Sequence, residues 1–368
     1  MENKLGLYKF NQILLMGFLL FGGLYLAQSF LIPVFIAALL AMLLLPVCKI
    51  LETYGWSRVF AITTSVFFLL AILTGIIYMF SYQIGGLLKD FPLFRSKIQQ
   101  GFLAAKNFVT ENTKLSPEEL NIYMETNTEK IFESLGSYLQ NALTLTTDIL
   151  VNFFIVLIYI GFFLYYRGRI EKFILKLAPH EEKNKTNKII KSCTNMAVAY
   201  LAGILTVSFI LSVCNYIALS IFGIQHALLF AVLAGILNII PFVGTFLGSI
   251  FPIALALLTK DTIWVAVGVA IYFSIIQYIE SYFLTPIIVG GKVRVNPLTE
   301  ILALVLGGVV WGVPGMILFI PLTGLIKVLF DHIDKFEPYA YVIGRDGIPK
   351  TTKFTQRIKN LFKNKISR

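Results

Sequence analysis

Three polar side chains share one face of an otherwise apolar stretch in the C-terminal half of the sequence. Gln277 and Glu280 are three residues apart, and Gln277 and Ser281 are four apart, so a helix places them side by side. Burying an ionisable side chain in a membrane span costs at least about 2.5–3.5 kcal/mol, so such a residue is a functional candidate. A carboxylate there can exchange a proton or bind sodium. The alternative is that Glu280 lies at the membrane interface, exposed or paired with Lys292 or Arg294.

Two long apolar segments, 227–258 and 301–330, are interrupted by glycine and proline. The first would measure about 48 Å as a continuous helix, well beyond a hydrocarbon core of about 30 Å. Broken helices occur in membranes only where the freed backbone is buried in protein or lines a wet cavity, and a pair of them indicates a solute site. The alternative is that these glycines and prolines serve close helix packing. The residues at the breaks are Asn238, Pro241, Gly244, Thr245, Gly248 and Pro252, and then Gly307, Gly308, Gly312, Pro314 and Gly315.

The cations Lys292 and Arg294 bear on whether the two broken segments cross the membrane. If both segments cross, the joint that carries these cations falls outside the cell. If both are re-entrant hairpins, the joint falls inside, where cations are favoured. The sequence therefore predicts two hairpins that enter from opposite faces, with two full crossings as the alternative.

The composition indicates helices in a membrane. Of 368 residues, 57% are hydrophobic and 14% are charged, against about 25% charged in a soluble domain. The apolar runs lack strand-like alternation, which favours helices over a barrel. We predict an all-α, polytopic membrane protein with about eight hydrophobic segments. They are 10–32, 34–47, 59–82, 149–166, 196–222 and 263–284, with the two broken segments; Pro33 separates the first two and Pro286 ends or kinks the last.

The net charge of +11 predicts the orientation of the chain. Its cations lie in joints and tails beside apolar spans, which is typical of membrane topology and not of nucleic-acid binding. The joint 167–191 has eight basic residues and three acidic ones, so we place it in the cytoplasm. The stretch 89–145 has six basic residues and seven acidic ones, and this near-neutral balance fits the extracytoplasmic side. The predicted domains are the N-terminal spans (1–88), a small extracytoplasmic helical insertion (89–145), the transmembrane core (146–334) and a basic cytoplasmic tail (335–368) that touches lipid.

No enzymatic or metal-binding motif is present in the sequence. There is no nucleophile elbow, paired-histidine motif or phosphate-binding loop, so we predict neither an enzyme nor a cofactor. Without a nucleotide-binding domain, active transport would need an ion gradient. The cysteines (Cys48, Cys193 and Cys214) lack paired spacing and indicate buried thiols, without a disulfide or a metal site. Asn215, Gln225 and His226 either line the polar region or lie at the interface, and His180 and His332 are isolated.

The ordered motifs resemble the signature of the autoinducer-2 exporter-like family of bacterial membrane proteins. They occupy 238–252, 277–290, 295–298 and 307–315. The resemblance implies a multi-pass inner-membrane transporter that exports the signal autoinducer-2, or a Na⁺(Li⁺)/H⁺ antiporter, as some members are. Thr245 departs from the proline that members often have. The resemblance implies a substrate or ion pathway formed by Asn238, Pro241, Gly244, Gly248, Pro252, Gln277, Glu280, Pro286, Pro297, Gly312, Pro314 and Gly315. Thr245 and Ser281 are further candidates for this pathway.

We therefore predict a secondary transporter that exports a small polar solute, with both termini in the cytoplasm. The alternatives are the antiporter and a non-transporting membrane scaffold that recruits partners through 89–145 or the basic tail. The expected partners are membrane lipid, the solute, H⁺ or Na⁺ and further copies of the chain in a homo-oligomer. Nucleic acid is not among them.

Overall fold

The computed structural model describes residues 2–112, 134, 136–137, 141, 153–240, 244–260, 262–291 and 295–345. These residues form eleven α-helices, with 3₁₀ turns at His180–Glu182 and Asp334–Phe336 and a π turn at Glu280–Leu284. The helices are α1 (Glu2–Leu26), α2 (Gln28–Thr53), α3 (Arg58–Asn112), α4 (Phe153–Leu177), α5 (Lys183–Ile221), α6 (Ala227–Leu237), α7 (Gly244–Thr259), α8 (Ile263–Ile279), α9 (Thr285–Ile288), α10 (Pro297–Phe330) and α11 (Glu337–Ile343).

Six stretches of the described chain are long and apolar enough to cross a membrane. They are Gln28–Thr53, Arg58–Asp90, Phe153–Leu177, His180–Ile221, Ile263–Ile288 and Pro297–Phe330. Three shorter apolar helices, Leu14–Leu26, Ala227–Leu237 and Phe246–Thr259, accompany them. The predicted class, an all-α polytopic membrane protein, is confirmed.

The predicted boundary between the first two helices was wrong. The sequence suggested a joint at Pro33, but α1 ends at Leu26 and Pro33 lies inside α2. A proline ring clashes with the carbonyl four residues earlier, which here belongs to Ser29. The distortion therefore falls in the preceding turn, next to Ala27, and not at the proline itself.

Helix α3 continues past the predicted end of the third span. It is a single helix of 55 residues, about 82 Å long at 1.5 Å per residue, so it extends well beyond a hydrocarbon core. The first part of the predicted insertion, 89–112, is thus a continuation of α3. Most of the rest, including the stretch 113–133, lies outside the described residues.

The chain divides into two compact units. The terminal unit comprises Met1–Ile32, Gly168–Tyr200 and Val289–Arg368, and the central unit comprises Pro33–Arg167 and Leu201–Ile288. The first broken segment and Glu280 belong to the central unit, whereas the second broken segment belongs to the terminal unit.

The N-terminal part of the central unit packs through one apolar stripe of α2. The stripe follows helical spacing, so its members share one face that meets α3 and α4. Arg167 donates to Glu52 (2.5 Å) and ties α4 to the end of α2. The thiol of buried Cys48 donates to Ser65 (3.2 Å), whereas Cys193 and Cys214, which were also predicted to be buried, are half-buried. The stripe on α2 consists of Ala37, Ala41, Leu44 and Cys48. Its partners are Ile62 on α3 and Val156, Leu157, Ile160 and Leu164 on α4.

Candidate functional site

The first broken segment is a helical hairpin, which we call hairpin 1 (α6 and α7). Its limbs are about 17 Å and 24 Å long at 1.5 Å per residue, each shorter than a membrane core. A Cβ placed on Gly248 would lie 2.7 Å from Ala234, and one placed on Gly244 would lie 1.9 Å from the carbonyl oxygen of Leu237. The limbs therefore run antiparallel in close contact, and the chain reverses between Asn238 and Gly244.

The second broken segment, within α10, is also a hairpin (hairpin 2). Gly312 has φ 62° and ψ −141°, a conformation that glycine adopts readily and other residues do not. In a straight helix Gly307 and Gly315 would be about 12 Å apart along the axis. Here a Cβ on Gly315 would lie 1.9 Å from the carbonyl oxygen of Gly307, and one on Gly307 would lie 2.3 Å from that of Gly315. The chain therefore reverses at Gly312, between limbs 297–311 and 313–330.

Both ends of hairpin 2 are fixed within the terminal unit. At its tip, the indole nitrogen of Trp311 donates to the carbonyl oxygen of Leu24 (2.9 Å), where α1 ends. At its base, the Asn296 side chain donates to the carbonyl oxygens of Val342 (2.7 Å) and Gly344 (3.1 Å) and caps α10 by accepting from the backbone of Thr299 (2.8 Å). These bonds hold the hairpin between the first helix and the last.

The polar cluster at the end of α8 surrounds the Glu280 carboxylate with donors from its own helix. Gln277 Nε2 donates to Glu280 Oε2 (3.1 Å) and to Ser281 Oγ (3.0 Å). Ser281 Oγ donates to Glu280 Oε2 (3.0 Å), and Thr285 Oγ1 donates to Glu280 Oε1. Pairing with Lys292 or Arg294, the alternative role for this carboxylate, involves residues outside the described set.

A π turn brings Thr285 to the carboxylate. The N–H of Thr285 donates to the carbonyl of Glu280, five residues earlier. Pro286 has no N–H and its ring would clash with the carbonyl of Tyr282, so one extra residue in the turn accommodates it. The helix continues to Ile288, so Pro286 modifies it without ending it. Such π turns are frequent at functional sites.

Gln277 retains one unused polar atom beside this carboxylate. Its side-chain oxygen Oε1 is buried and accepts no hydrogen bond from the part of the chain that the structure describes. A buried acceptor without a donor is costly, by about 1–3 kcal/mol. A solute that donates one hydrogen bond would remove that cost.

The break of hairpin 1 lies at the same end of the central unit as this cluster. Only residues 260–262 connect α7 to α8, and the two helices pack against each other. Since they run antiparallel, the Gly244 end of α7 is level with the Gln277–Glu280 end of α8. The structure therefore brings the first broken segment and the polar cluster to one end of the helix pair.

Ser208 is a candidate that sequence reasoning missed. In the central unit α5 approaches α6 closely, because a Cβ on Gly235 would lie 1.9 Å from Ser212 Oγ and 2.7 Å from the carbonyl oxygen of Ser208. Ser208 is one turn nearer to the C-terminal end of α6, where hairpin 1 breaks. Its hydroxyl is buried and has no hydrogen-bond partner among the described residues. The only sequence signal for Ser208 was its helical spacing with Ser212 and Asn215. The side-chain oxygen of Asn215 accepts a hydrogen bond from the Tyr272 hydroxyl (3.0 Å).

The remaining predicted residues mainly shape the hairpins. Asn238 caps the C-terminus of α6, and its N–H donates to Ala234. Pro252 is buried inside α7, and Pro297 is at the first position of α10, where a proline costs no hydrogen bond. Pro314 lies two residues after the reversal at Gly312. Pro241 and the Thr245 side chain lie outside the described residues.

A chain with six helices able to cross a membrane, two helical hairpins and a partly buried polar cluster fits the class of multi-pass membrane transporters. The chain belongs to the family described as AI-2E family transporter, whose family model matches residues 14–335.

Two relatives of the chain are named as transport proteins. The chain is 26% identical over 320 residues to "Putative transport protein YueF" of Bacillus subtilis, covering 82% of this chain and 83% of that protein. It is 22% identical over 315 residues to "AI-2 transport protein TqsA" of Escherichia coli, covering 84% of this chain and 88% of that protein.

Proposed function

We propose that this protein is a secondary transporter that exports a small polar solute across the bacterial inner membrane, driven by an ion gradient. The observation that carries the proposal is the unused Gln277 oxygen beside the Glu280 carboxylate. Autoinducer-2 is the first solute to test, because the family and the name of TqsA both refer to it. A polyhydroxylated solute can supply the donor that the Gln277 oxygen lacks.

Glu280 is the proposed coupling group. As a carboxylate it accepts hydrogen bonds from Gln277, Ser281 and Thr285. When it binds a proton, one of its oxygens becomes a donor and its affinity for the Gln277 amide falls. A solute hydroxyl that donates to the ionised carboxylate loses that acceptor at the same time, so proton and solute compete at this cluster, as the exchange of one for the other requires.

The broken ends of hairpin 1 add polar groups without charged side chains. The C-terminus of α6 and the N-terminus of α7 lie at the level of the Glu280 cluster, and the ends of helices carry the partial charges of the peptide dipoles. Their partial charges can hold a neutral polar solute or an ion. The buried hydroxyl of Ser208, one turn beyond Ser212 toward the same end of α6, would extend this lining.

Antiport of Na⁺ or Li⁺ against H⁺ is the second candidate. It is favoured by the hydroxyls of Ser281 and Thr285 beside the Glu280 carboxylate, because hard cations prefer oxygen ligands. The scaffold alternative would depend on the tail 346–368, which is outside the described residues.

Transport by purified protein in proteoliposomes tests the proposal. With a pH gradient imposed, we expect autoinducer-2 to accumulate on the acidic side of the membrane, and collapsing the gradient with an ionophore should stop it. Movement of ²²Na⁺ without movement of autoinducer-2 would select the antiporter. If folded protein moves neither, the proposal fails for both substrates.

The proposed topology is tested by cysteine labelling in a variant without Cys48, Cys193 and Cys214. If hairpin 1 re-enters, its two base positions face one side, so Gln225→Cys and Thr262→Cys should both react with an impermeant maleimide from outside intact cells. A segment that crosses would leave Thr262→Cys unreactive until the membrane is permeabilised. Position 334 in the exposed turn Asp334–Phe336 is the control, since the tail is expected inside.

A further inference from the structure

A cluster of basic and aromatic side chains surrounds the turn between α2 and α3, within the central unit. Arg58, the first residue of α3, donates from Nη2 to the carbonyl oxygen of Leu164 on α4 (3.1 Å). Its guanidinium carbon lies 5.8 Å from the centre of the Tyr165 ring, within the range of a cation–π contact. These two contacts with α4 hold the guanidinium in place, although Arg58 as a whole is exposed.

The charge of Arg58 is not balanced by an acid in the part of the chain that the structure describes. The neighbouring cation Arg167, one turn after Leu164, does have an acid, because it pairs with Glu52 (2.5 Å). Arg58 stands at the first position of α3, where the positive end of the helix dipole disfavours a cation. An anion bound at Arg58 would therefore be stabilised both by the guanidinium and by the end of the helix.

Lys49 is a second exposed cation at this end of the central unit. It lies three residues before Glu52 on α2, so the two side chains share one side of the helix. Lys49 forms no ion pair with any residue that the structure describes. The cluster thus contains three cations, Lys49, Arg58 and Arg167, against the single carboxylate of Glu52. Its excess positive charge suits an anionic ligand.

Exposed aromatic side chains indicate that this ligand comes from the membrane. Tyr54 and Trp56 in the turn and Tyr165 on α4 are exposed, and tyrosine and tryptophan are enriched where lipid headgroups meet the hydrocarbon. Phe60 and Phe162, which lie farther into the apolar parts of α3 and α4, are exposed as well. A phospholipid would meet cations at its headgroup and apolar surface along its chains, whereas a free anion would use only the cations.

We propose that this cluster binds the headgroup phosphate of an anionic phospholipid from the cytoplasmic leaflet. The guanidinium of Arg58 would donate to the phosphate oxygens, which its planar fork matches, and Lys49 would add charge. Arg167 opens the joint 167–191 that the sequence predicts in the cytoplasm, and the cytoplasmic leaflet carries the anionic lipids. The site is separate from the proposed transport role of Glu280 and needs no solute.

Retention of lipid by the full chain tests the site. The protein in detergent micelles is equilibrated with equal amounts of dioleoyl-phosphatidylglycerol and dioleoyl-phosphatidylcholine, and the bound lipids are counted by native mass spectrometry. The wild type should prefer phosphatidylglycerol about tenfold, because the choline cation of the other lipid is repelled by the cluster. Arg58→Gln should lower this preference about fivefold, the effect expected of one cation beside an anionic headgroup. Lys49→Gln should also lower it, and it replaces Arg58→Gln in the test if that variant does not fold.

A matched variant separates the site from a general effect of charge. Lys89→Gln removes one exposed cation from the same helix, roughly 46 Å along α3 from Arg58, and should keep the wild-type preference. Equal melting temperatures would show that the variants are folded.

Inorganic phosphate distinguishes a lipid from a free anion. Added in excess, it should leave phosphatidylglycerol bound, because it cannot use the apolar surface of α3 and α4. Displacement by inorganic phosphate would make this a site for a free anion and overturn the lipid assignment. The proposal is also overturned if the wild type retains both lipids equally, or if the folded test variant keeps the wild-type preference.

Discussion

Replacing Glu280 with glutamine is expected to abolish gradient-driven transport while the protein stays folded. The amide has nearly the shape of the carboxylate and still offers an oxygen to Ser281 or Thr285, so the cluster retains part of its hydrogen bonding. It can neither take up nor release a proton, however, so proton binding can no longer be linked to solute binding at this cluster. We expect flux below about a tenth of the wild-type value in proteoliposomes, which corresponds to about 1.4 kcal/mol.

A matched variant makes this result specific. Glu171→Gln removes one exposed carboxylate from α4, far along the sequence from the cluster, and should transport like the wild type. Equal melting temperatures of the two variants would show that Glu280→Gln is folded. If a folded Glu280→Gln variant transports at the wild-type rate, Glu280 does not couple transport to the gradient. Its role would then be structural, at the π turn.

Replacing Gly315 with alanine is expected to destabilise the protein. The added Cβ would lie 1.9 Å from the carbonyl oxygen of Gly307, a backbone atom that cannot move unless the limbs of hairpin 2 separate. Overpacking of this kind typically costs about 1–3 kcal/mol. We expect a lower melting temperature in detergent, followed by tryptophan fluorescence, together with reduced transport because Trp311 at the tip is displaced.

Gly75→Ala is the control for this substitution. Gly75 is also inside a helix, α3, but a Cβ there would meet nothing within 4 Å. Alanine is favoured over glycine in a helix by about 1 kcal/mol, so this variant should be as stable as the wild type or more so. If Gly315→Ala melts like Gly75→Ala, the close approach of the two limbs in hairpin 2 is not a feature of the folded protein.

The sequence by itself determined the class of the fold and the positions of both breaks. Long apolar runs require helices in a membrane, whatever they pack against. The breaks at 238–244 and at Gly312 were predicted because glycine and proline act on the backbone locally. The side-by-side placement of Gln277, Glu280 and Ser281 followed from helical spacing alone. The boundary at Pro33 was wrong because a proline acts on the turn before it.

Only the tertiary structure decided which distant groups meet. Thr285 reaches Glu280 through a π turn, whereas in a regular α-helix residues five apart point in different directions. Ser208 became a candidate because Gly235 lets α6 approach α5 closely. His226 and Asp90 are 136 residues apart, so no local pattern linked them. Spacing along the chain fixes neighbours on one helix, but contacts between helices depend on how the helices pack, and that packing is a property of the whole fold.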